Sequence, residues 1–327
     1  MTLLSGGEEQ IISLASLILR SGGVVAIPTE TVYGLAGNIS IDSSIKKIYE
    51  LKNRPVDHPL IVHIESMEQL YEYSINVPRY VEILAKRFWP GPLTFILYKS
   101  DKVSNLVTGG HNTVAIRMPN HRLTLDLIKA VGSPLAAPSA NKFGRVSPTC
   151  SEHVIEEFNG LIDVLDGGEC EIGIESTIID ATMADSYKIL RPGSITSSDL
   201  DAVLKDYINN FSLVPEKSSV SKVIAPGSCT RHYSPNKQLI GFNNCSEIIR
   251  LMDNYRSIYI IHYSDVLVHS NNFYYRMIKN PSQYAKHLYC ALRLGDKSSA
   301  QVIAVEFPPR ETEWNAVLDR LKRSLSA

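Results

Sequence analysis

Apolar positions recur at helical spacing along residues 9–20. Ile11, Ile12, Leu14, Ala15, Ile18 and Leu19 there predict an amphipathic helix closed by Gly22-Gly23. The next stretch, GVVAIP, is uncharged, rich in β-branched residues and stopped by Pro28, which predicts a short buried strand. Beyond it the pattern predicts helices over 43–51, 81–88, 121–131 and 151–158. Between them PLIVHI, TFILY, VAIRM, PLAAP, IDVLD, STIID and KILRP read as strands. The irregular alternation points to an α/β fold with one large, open twisted sheet carrying helices. A capped helix near Thr196, TSSDLDAVL, closes this part.

Residues 208–236 are polar, punctuated by proline and serine, and without a period, which reads as a linker. The linker ends in a dense cluster, Arg231-His232-Tyr233. From Lys237 the pattern restarts. QLIGF, SIYIIHY and VIAVEF predict strands, and 246–253, 281–294 and 312–325 predict helices. That alternation is the one expected of a parallel sheet in a smaller, Rossmann-like α/β domain. The expected division is a first domain over 1–207, a linker or lid over 208–236, and a second domain over 237–327. A chain of 327 residues is long for one core, which agrees with two domains.

Composition narrows the class. The chain is 44% hydrophobic and 20% charged, as in ordinary globular proteins, and its formal net charge of -1 lacks the basic excess of tight nucleic-acid binders. No apolar run reaches the length of a membrane helix, and MTLLSGGEEQ has no basic leader, so neither a membrane span nor a secretory signal is expected. Cys150, Cys170, Cys229, Cys245 and Cys290 are scattered and form no Cys-x-x-Cys pair. They read as free thiols of a reducing compartment, so a cytoplasmic location is expected.

Three clusters carry candidate chemistry. PTETVYGLAG takes the first strand into a turn bearing Thr29, Thr31, an acid, a tyrosine and two glycines. Loops after strand ends are where α/β folds place ligands, although a polar turn without function has the same composition. In LKNRPVDHPLIVHI, Lys52 and Arg54 lie two apart before Pro55, where a helix should end. A point charge beside a planar fork suits a polyphosphate; the alternative is a helix end whose cations answer the dipole. His58 and His63 follow without a third metal ligand nearby. In AAPSANKFGRVSPT, Ser139 and Asn141 sit in a small-residue turn followed by Lys142, Arg145 and Ser147. This is either an anion-binding concavity or a polar loop. Neither a Walker loop nor a dinucleotide fingerprint is present.

Two further pieces complete the set. GIESTIID puts Ser176 and Thr177 at a strand start, while VAIRMP and LRPG place Arg117 and Arg191 in or at the end of apolar strands. A buried arginine needs a partner, so a ligand site and a structural salt bridge both remain open. The inventory is rich in cations, hydroxyls and glycines and poor in nucleophiles, which suits positioning a phosphate-bearing substrate.

In order along residues 20–200, PTETVYGL, KNRPVDHPLIVHI, WPGPLT, VAIRMP, APSAN with GRVSPT, DGG, GIEST and LRPG resemble the YrdC-like family of threonylcarbamoyl-AMP synthases. Each motif alone is weak; the ordered series is specific. PGSCTRHYSP resembles the linker of the family's long form, with departures at Ser228 and Thr230. The resemblance implies a YrdC-like catalytic domain and an ATP-consuming nucleotidyltransferase. Its reaction would make L-threonylcarbamoyladenylate and pyrophosphate from L-threonine, bicarbonate or carbon dioxide, and ATP. A separate transferase would then use the product for threonylcarbamoyladenosine modification of tRNA.

The resemblance also implies residue roles. Thr31, His63, Arg117, Ala137 and Ser176 or Thr177 should surround threonine. Lys52, Arg54, His58, Thr113, Ser139, Asn141, Ser147 and Arg191 should surround ATP. By their own chemistry Arg231, His232 and Tyr233 of the linker can join them, pairing with phosphate, hydrogen-bonding and stacking on a base. Lys52 and Arg54 carry the catalytic role and are expected to be exposed to ligand. Mg2+ should come with ATP, held mainly by its phosphates, with no dedicated protein metal site. A direct RNA-binding module is the alternative; the neutral charge and the lack of aromatic-basic repeats count against it, and no strong direct tRNA binding is expected. Carbamoyl-transfer enzymes of hydrogenase maturation carry zinc-finger modules whose cysteine pattern this chain lacks.

Overall fold

The computed structural model describes residue 4 and residues 7–208, 214–215, 223, 225–227, 232–266 and 269–325. The chain forms two compact units, each discontinuous in sequence. The first takes Met1–Phe143, Pro148–Glu171 and Glu175–Ser228; the second takes Gly144–Ser147, Ile172–Ile174 and Cys229–Ala327.

In the first unit the elements run α1 (Glu8–Arg20), β1 (Val24–Ile27), β2 (Gly34–Asn38), α2 (Asp42–Lys52), β3 (Ile61–His63), α3 (Met67–Tyr73) and β4 (Ser74–Ile75). They continue with α4 (Arg79–Phe88), β5 (Leu93–Lys99), α5 (Asn105–Thr108), β6 (Thr113–Arg117), α6 (Arg122–Val131), β7 (Leu135–Ala136), α7 (Ser151–Glu157) and β8 (Asp163–Val164). The last are β9 (Thr177–Asp180), β10 (Ser186–Arg191), α8 (Ser197–Ile208) and β11 (Val214–Pro215). The strands make one mixed sheet in the order β11-β10-β9-β5-β6-β3-β7-β2-β1-β8, with β4 added to β5.

Side chains alternate across a strand, and this period of two sorts the sheet into faces. Val62, Leu93, Phe95, Leu97, Val114, Ile116 and Ile179 point one way, into a core shared with Ile45 and Ile48 of α2, Tyr80 and Leu84 of α4, and Leu200 and Leu204 of α8. On the opposite face α1 and α6 cover β1, β2 and β7, where Leu19, Leu127 and Ile128 pack on Val25, Ile27, Ala36 and Leu135. Where that face continues on β3, β6, β5 and β9 it carries Ile61, Ala115, Ile96 and Ile178. These pack with the linker residues Val223 and Ala225.

The large sheet matches the sequence pattern, whereas α3, β4 and α5 have no counterpart in it, and one further difference is instructive. GLAGN reads as part of a turn but forms strand β2, fully buried. Its glycines are there for packing: a Cβ on Gly37 would lie 2.6 Å from Ser44 Oγ and 2.8 Å from Ile48 Cδ1, so α2 could not seat.

The second unit comprises β12 (Leu239–Phe242), α9 (Cys245–Asn254), β13 (Ile258–His262), β14 (Phe273–Arg276), α10 (Pro281–Lys297), β15 (Val302–Glu306), a 3-10 turn (Thr312–Trp314) and α11 (Asn315–Leu325). Its four strands are all parallel, in the order β12-β15-β13-β14, as the strand-helix alternation predicts. Phe242, Ile248, Ile258, Ile260, Val302 and Ala304 form its core. The segment Gly144–Ser147 belongs here. Ser234 N donates to Gly144 O at 2.9 Å, and Arg293 donates to the carbonyls of Val146 and Ser147.

Candidate active site

The turn after β1 is built by its own hydroxyls. Thr29 Oγ1 accepts from the backbone N–H groups of Thr31 and Val32, both at 3.2 Å, and donates to Val32 O at 2.7 Å. Such local side-chain bonds stabilise turns at the expense of strand or helix. The hydroxyls of Thr29 and Thr31 lie 2.8 Å apart and share a hydrogen bond. Arg117 Nη1 donates to Thr31 Oγ1 at 2.8 Å. The Thr31 hydroxyl is thus held between Thr29 and Arg117.

Arg117 ends β6, and His63, its register partner, ends the adjacent parallel strand β3. His63 Nδ1 lies 3.3 Å from Ile61 O. A proton on Nδ1 satisfies that carbonyl and leaves Nε2 as an acceptor. Burial, and then the Arg117 charge, push the His63 pKa down from 6.5 to about 3. The imidazole is neutral at physiological pH.

Period-two alternation extends this cluster across the sheet. Arg117, Thr94 of β5 and Ser176, the residue just before β9, share the face that carries Ala115, Ile96 and Ile178. Thr94 Oγ1 and Ser176 Oγ are 2.8 Å apart. Arg191 grips Ser176 from the end of β10, with Nε 3.0 Å from Ser176 O and Nη2 3.1 Å from Ser176 Oγ. Its Nη1 donates to Pro226 O of the linker at 3.2 Å. Thr177 is on the other face, where its hydroxyl donates to Ile195 O at 2.7 Å and accepts from Ile195 N at 3.2 Å. Gly193 permits this approach, since a Cβ there would lie 2.4 Å from Thr177 N.

A second cluster gathers around the end of α2. Lys52 is fully buried, and its ammonium donates to the carbonyls of Ser139 and Asn141. Burial, then the nearby Arg54 charge, hold its pKa well below the usual lysine range, opposed by Glu157. Arg54 Nη2 donates to Pro59 O at 2.9 Å and its Nε to His58 O at 3.3 Å. Its guanidinium lies over the Phe143 ring, which also meets the edge of His58 at 5.2 Å. The expectation that Lys52 and Arg54 stand exposed to ligand is thus corrected: both are buried. The chain turns back after the helix, and its carbonyls take up the two cations before solvent does. The adjacent Ser139 turn approaches β2 closely, with Leu35 N donating to Pro138 O at 2.7 Å and a bridge between Gly34 and Ser139.

With this geometry established, comparison with known proteins is informative. A family model described as Telomere recombination, for the Sua5, YciO and YrdC proteins, matches residues 17–193. A second, described as Threonylcarbamoyl-AMP synthase, C-terminal domain, matches residues 195–326. A threonylcarbamoyl-AMP synthase of Pyrococcus abyssi is 39% identical, covering 97% of this chain and 94% of its own length. The Bacillus subtilis protein of that name is also 39% identical, over 98% and 94% of the two chains. The chain belongs to the threonylcarbamoyl-AMP synthase family. A crystal structure of the P. abyssi protein Sua5 complexed with L-threonine superposes with a TM-score of 0.85 at 38% identity, covering 98% of this chain and 95% of that one.

Among the residues that the family resemblance singles out, Thr31, His63, Arg117, Ser176 and Arg191 converge in the first unit. Ala137 contributes its backbone, donating to Ile61 O at 3.0 Å. Thr113 starts β6, four residues before Arg117, and so lies about 13 Å along the strand from it. Ser147, His232 and Tyr233 lie in the second unit. There Tyr233 adopts φ 62°, stacks on Tyr289 at 5.9 Å and lies beneath Arg320. Arg231 lies outside the described residues. The residue reading missed Thr94, Phe143 and the buried contact of Glu30 with Arg117. Thr94 had a signal, since strand alternation in TFILY pairs it with Ile96.

Among the described residues no group of three or more His, Cys, Asp or Glu side chains is arranged to hold a metal ion, and no helix is long and apolar enough to cross a membrane.

Proposed function

We propose that this chain is an L-threonylcarbamoyladenylate synthase, a cytoplasmic nucleotidyltransferase. Its substrates are L-threonine, bicarbonate or carbon dioxide, and ATP with Mg2+. Its products are threonylcarbamoyl-AMP and pyrophosphate, and a separate transferase carries the threonylcarbamoyl group to tRNA. The observation that carries this reading is the single sheet face on which His63, Arg117, Thr94 and Ser176 stand together, with Thr31 bonded to Arg117, in a chain of this family.

The chemistry follows from the inventory. The threonine ammonium loses a proton to water, its nitrogen forms a bond to the carbon of carbon dioxide, and the nitrogen gives up a second proton to water as the carbamate forms. An oxygen of the resulting carbamate forms a bond to the α-phosphorus of ATP, and pyrophosphate leaves. His63 Nε2 is an acceptor, suited to the N–H and O–H groups of threonine, and the Thr31 hydroxyl, held by Arg117, is a further polar partner. Arg117 and Arg191 supply fixed positive charge for carboxylate and carbamate oxygens. Ser176, which faces them, is the threonine residue in this reading, and Thr177 acts through Ile195. Lys52, Arg54, His58, Ser139 and Asn141 serve the phosphate side, where Lys52 braces the Ser139–Asn141 turn. The family resemblance adds Thr113 and Ser147 to the ATP side, and the linker cluster Arg231-His232-Tyr233 offers it a cation, a hydrogen-bonding imidazole and a stacking ring. Mg2+ enters with ATP and is held mainly by phosphate oxygens, neutralising charge as pyrophosphate departs.

Residues 208–236 act as a lid in this reading. Ala225 packs on the same sheet face, and Pro226 O is held by Arg191, which keeps water from a labile mixed anhydride. Incubation with ATP, threonine, bicarbonate and Mg2+ tests the proposal. Pyrophosphate and the adenylate should appear together and only with all four present. Equal pyrophosphate release without threonine would mark a plain pyrophosphatase.

A further inference from the structure

Glu30 has no part in the reaction as described, yet it is among the most thoroughly buried charges of the first unit. Its side chain is 3% exposed and that of Arg117 4%, with Glu30 Oε2 2.6 Å from Arg117 Nη2. Neither carboxylate oxygen has a donor aligned as a hydrogen bond. A buried ion pair of this kind returns little net stability, because desolvation offsets the attraction. Two apolar side chains of similar size would fill the place at least as well. The pair needs another reason.

The reason lies in what holds Arg117. Its Nε donates to Gly91 O at 3.2 Å, its Nη1 to Thr31 Oγ1 at 2.8 Å, and its Nη2 faces Glu30. Consecutive residues of one turn, Glu30 and Thr31, thus grip the two terminal nitrogens. The turn is itself locked by Thr29. A guanidinium hydrogen-bonded at Nε and Nη1 and ion-paired at Nη2 has little room to swing, and its neighbour Thr31 is held with it. We propose that Glu30 is the positioning residue of the threonine site: through Arg117 it sets the plane of the guanidinium and the direction of the Thr31 hydroxyl, and it balances the arginine charge so that the site accepts a zwitterionic amino acid. This rests on the threonine role of Arg117 and Thr31 given above. The Lys52–Arg54 cluster has its own carbonyl partners, so ATP should be indifferent to Glu30.

The test uses the full chain as wild type, Glu30→Gln, Glu30→Asp, Arg117→Lys and the Glu30→Gln/Arg117→Lys double variant. Pyrophosphate release is measured with threonine and ATP varied separately, and threonine binding by its thermal shift. Glu30→Gln should raise the threonine KM about tenfold or more, the scale of one lost charge-assisted contact, with the ATP KM changed less than about twofold. The double variant should be no worse than Arg117→Lys alone, because both act through one contact. If Glu30→Gln fails to fold, Glu30→Asp keeps the charge with a shorter reach and should show the same threonine-selective rise. Equal rises in both KM values, an unchanged threonine KM in a folded variant, or additive losses in the double variant overturn the proposal. A wild type without turnover whose melting temperature still rises with threonine would sink the proposed reaction alone; the proposal about Glu30 would then stand if Glu30→Gln abolishes that rise and fall if it does not. A wild type that shows neither overturns both.

Discussion

His63 makes stability depend on pH in a direction that follows from its surroundings. Its folded pKa, about 3, is below the ordinary value of 6.5. The unfolded chain therefore takes up the proton first as pH falls. Stability attributable to this residue is intact above about pH 6.5 and is lost between about 6.5 and 3, at up to about 1.4 kcal/mol per pH unit. Carboxylates titrate in part of the same window, so the measurement is a difference. Urea denaturation of wild type and His63→Gln from pH 7 to 4 should show a shallower acid loss in the variant; parallel curves would refute the assignment. Lys52→Ala makes a different point. It leaves the carbonyls of Ser139 and Asn141 without their buried donor, so unfolding should become easier by about 1–3 kcal/mol even without ATP. A melting temperature unchanged in Lys52→Ala would return Lys52 to a purely ligand-facing role. At this scale the sequence was legible where residue type and order sufficed: it singled out Thr31, His63, Arg117 and Arg191, and left Ser176 and Thr177 as alternatives that the strand faces separate. The burial of Lys52 and Arg54 was not legible, because it depends on carbonyls supplied by turns that no local pattern places.

Among the elements, periodicity served where strands are long and β-branched and failed where glycine replaces them. VAIRM and TFILY announce β6 and β5, and their alternation even sorts Thr94 and Arg117 onto one face. GLAGN hides β2, since two glycines and an alanine carry no strand signature until α2 is seen to press on them. FYYR, half-exposed at the edge of the parallel sheet, was likewise missed as β14. The linker shows the reverse case. It has no period, yet its residues Val223 and Ala225 pack as core against Ile61, Ile96, Ala115 and Ile178. Placing an unpaired charge there should lift the segment from the sheet. Ala225→Asp is therefore expected to let water reach the adenylate, raising the ratio of AMP to threonylcarbamoyl-AMP among the products while pyrophosphate release continues. A product ratio equal to that of wild type would show that the segment does not shield the intermediate.

At the scale of the molecule, neither compact unit is a continuous stretch of chain. The segment containing Arg145 and Ser147 finds its partners in residues of the second unit, with Arg293 donating to the carbonyls of Val146 and Ser147. Arg293→Ala should loosen it, and trypsin should then cut after Arg145 several-fold faster than in wild type. Equal cleavage rates would mean that the pairing with Ser234 alone secures the segment.

The same discontinuity has a consequence for how the protein is made. Val146 and Arg293 are 147 residues apart in the chain. At a translation speed of about 5–20 residues per second, roughly 7–30 s separate the emergence of the one from that of the other. For that interval the nascent first unit carries a motif segment with open backbone groups. A synthesis pause, a premature stop or a slow codon run before residue 293 would prolong it. The last third of the gene thus acts on the first half of the protein as an internal chaperone that arrives late.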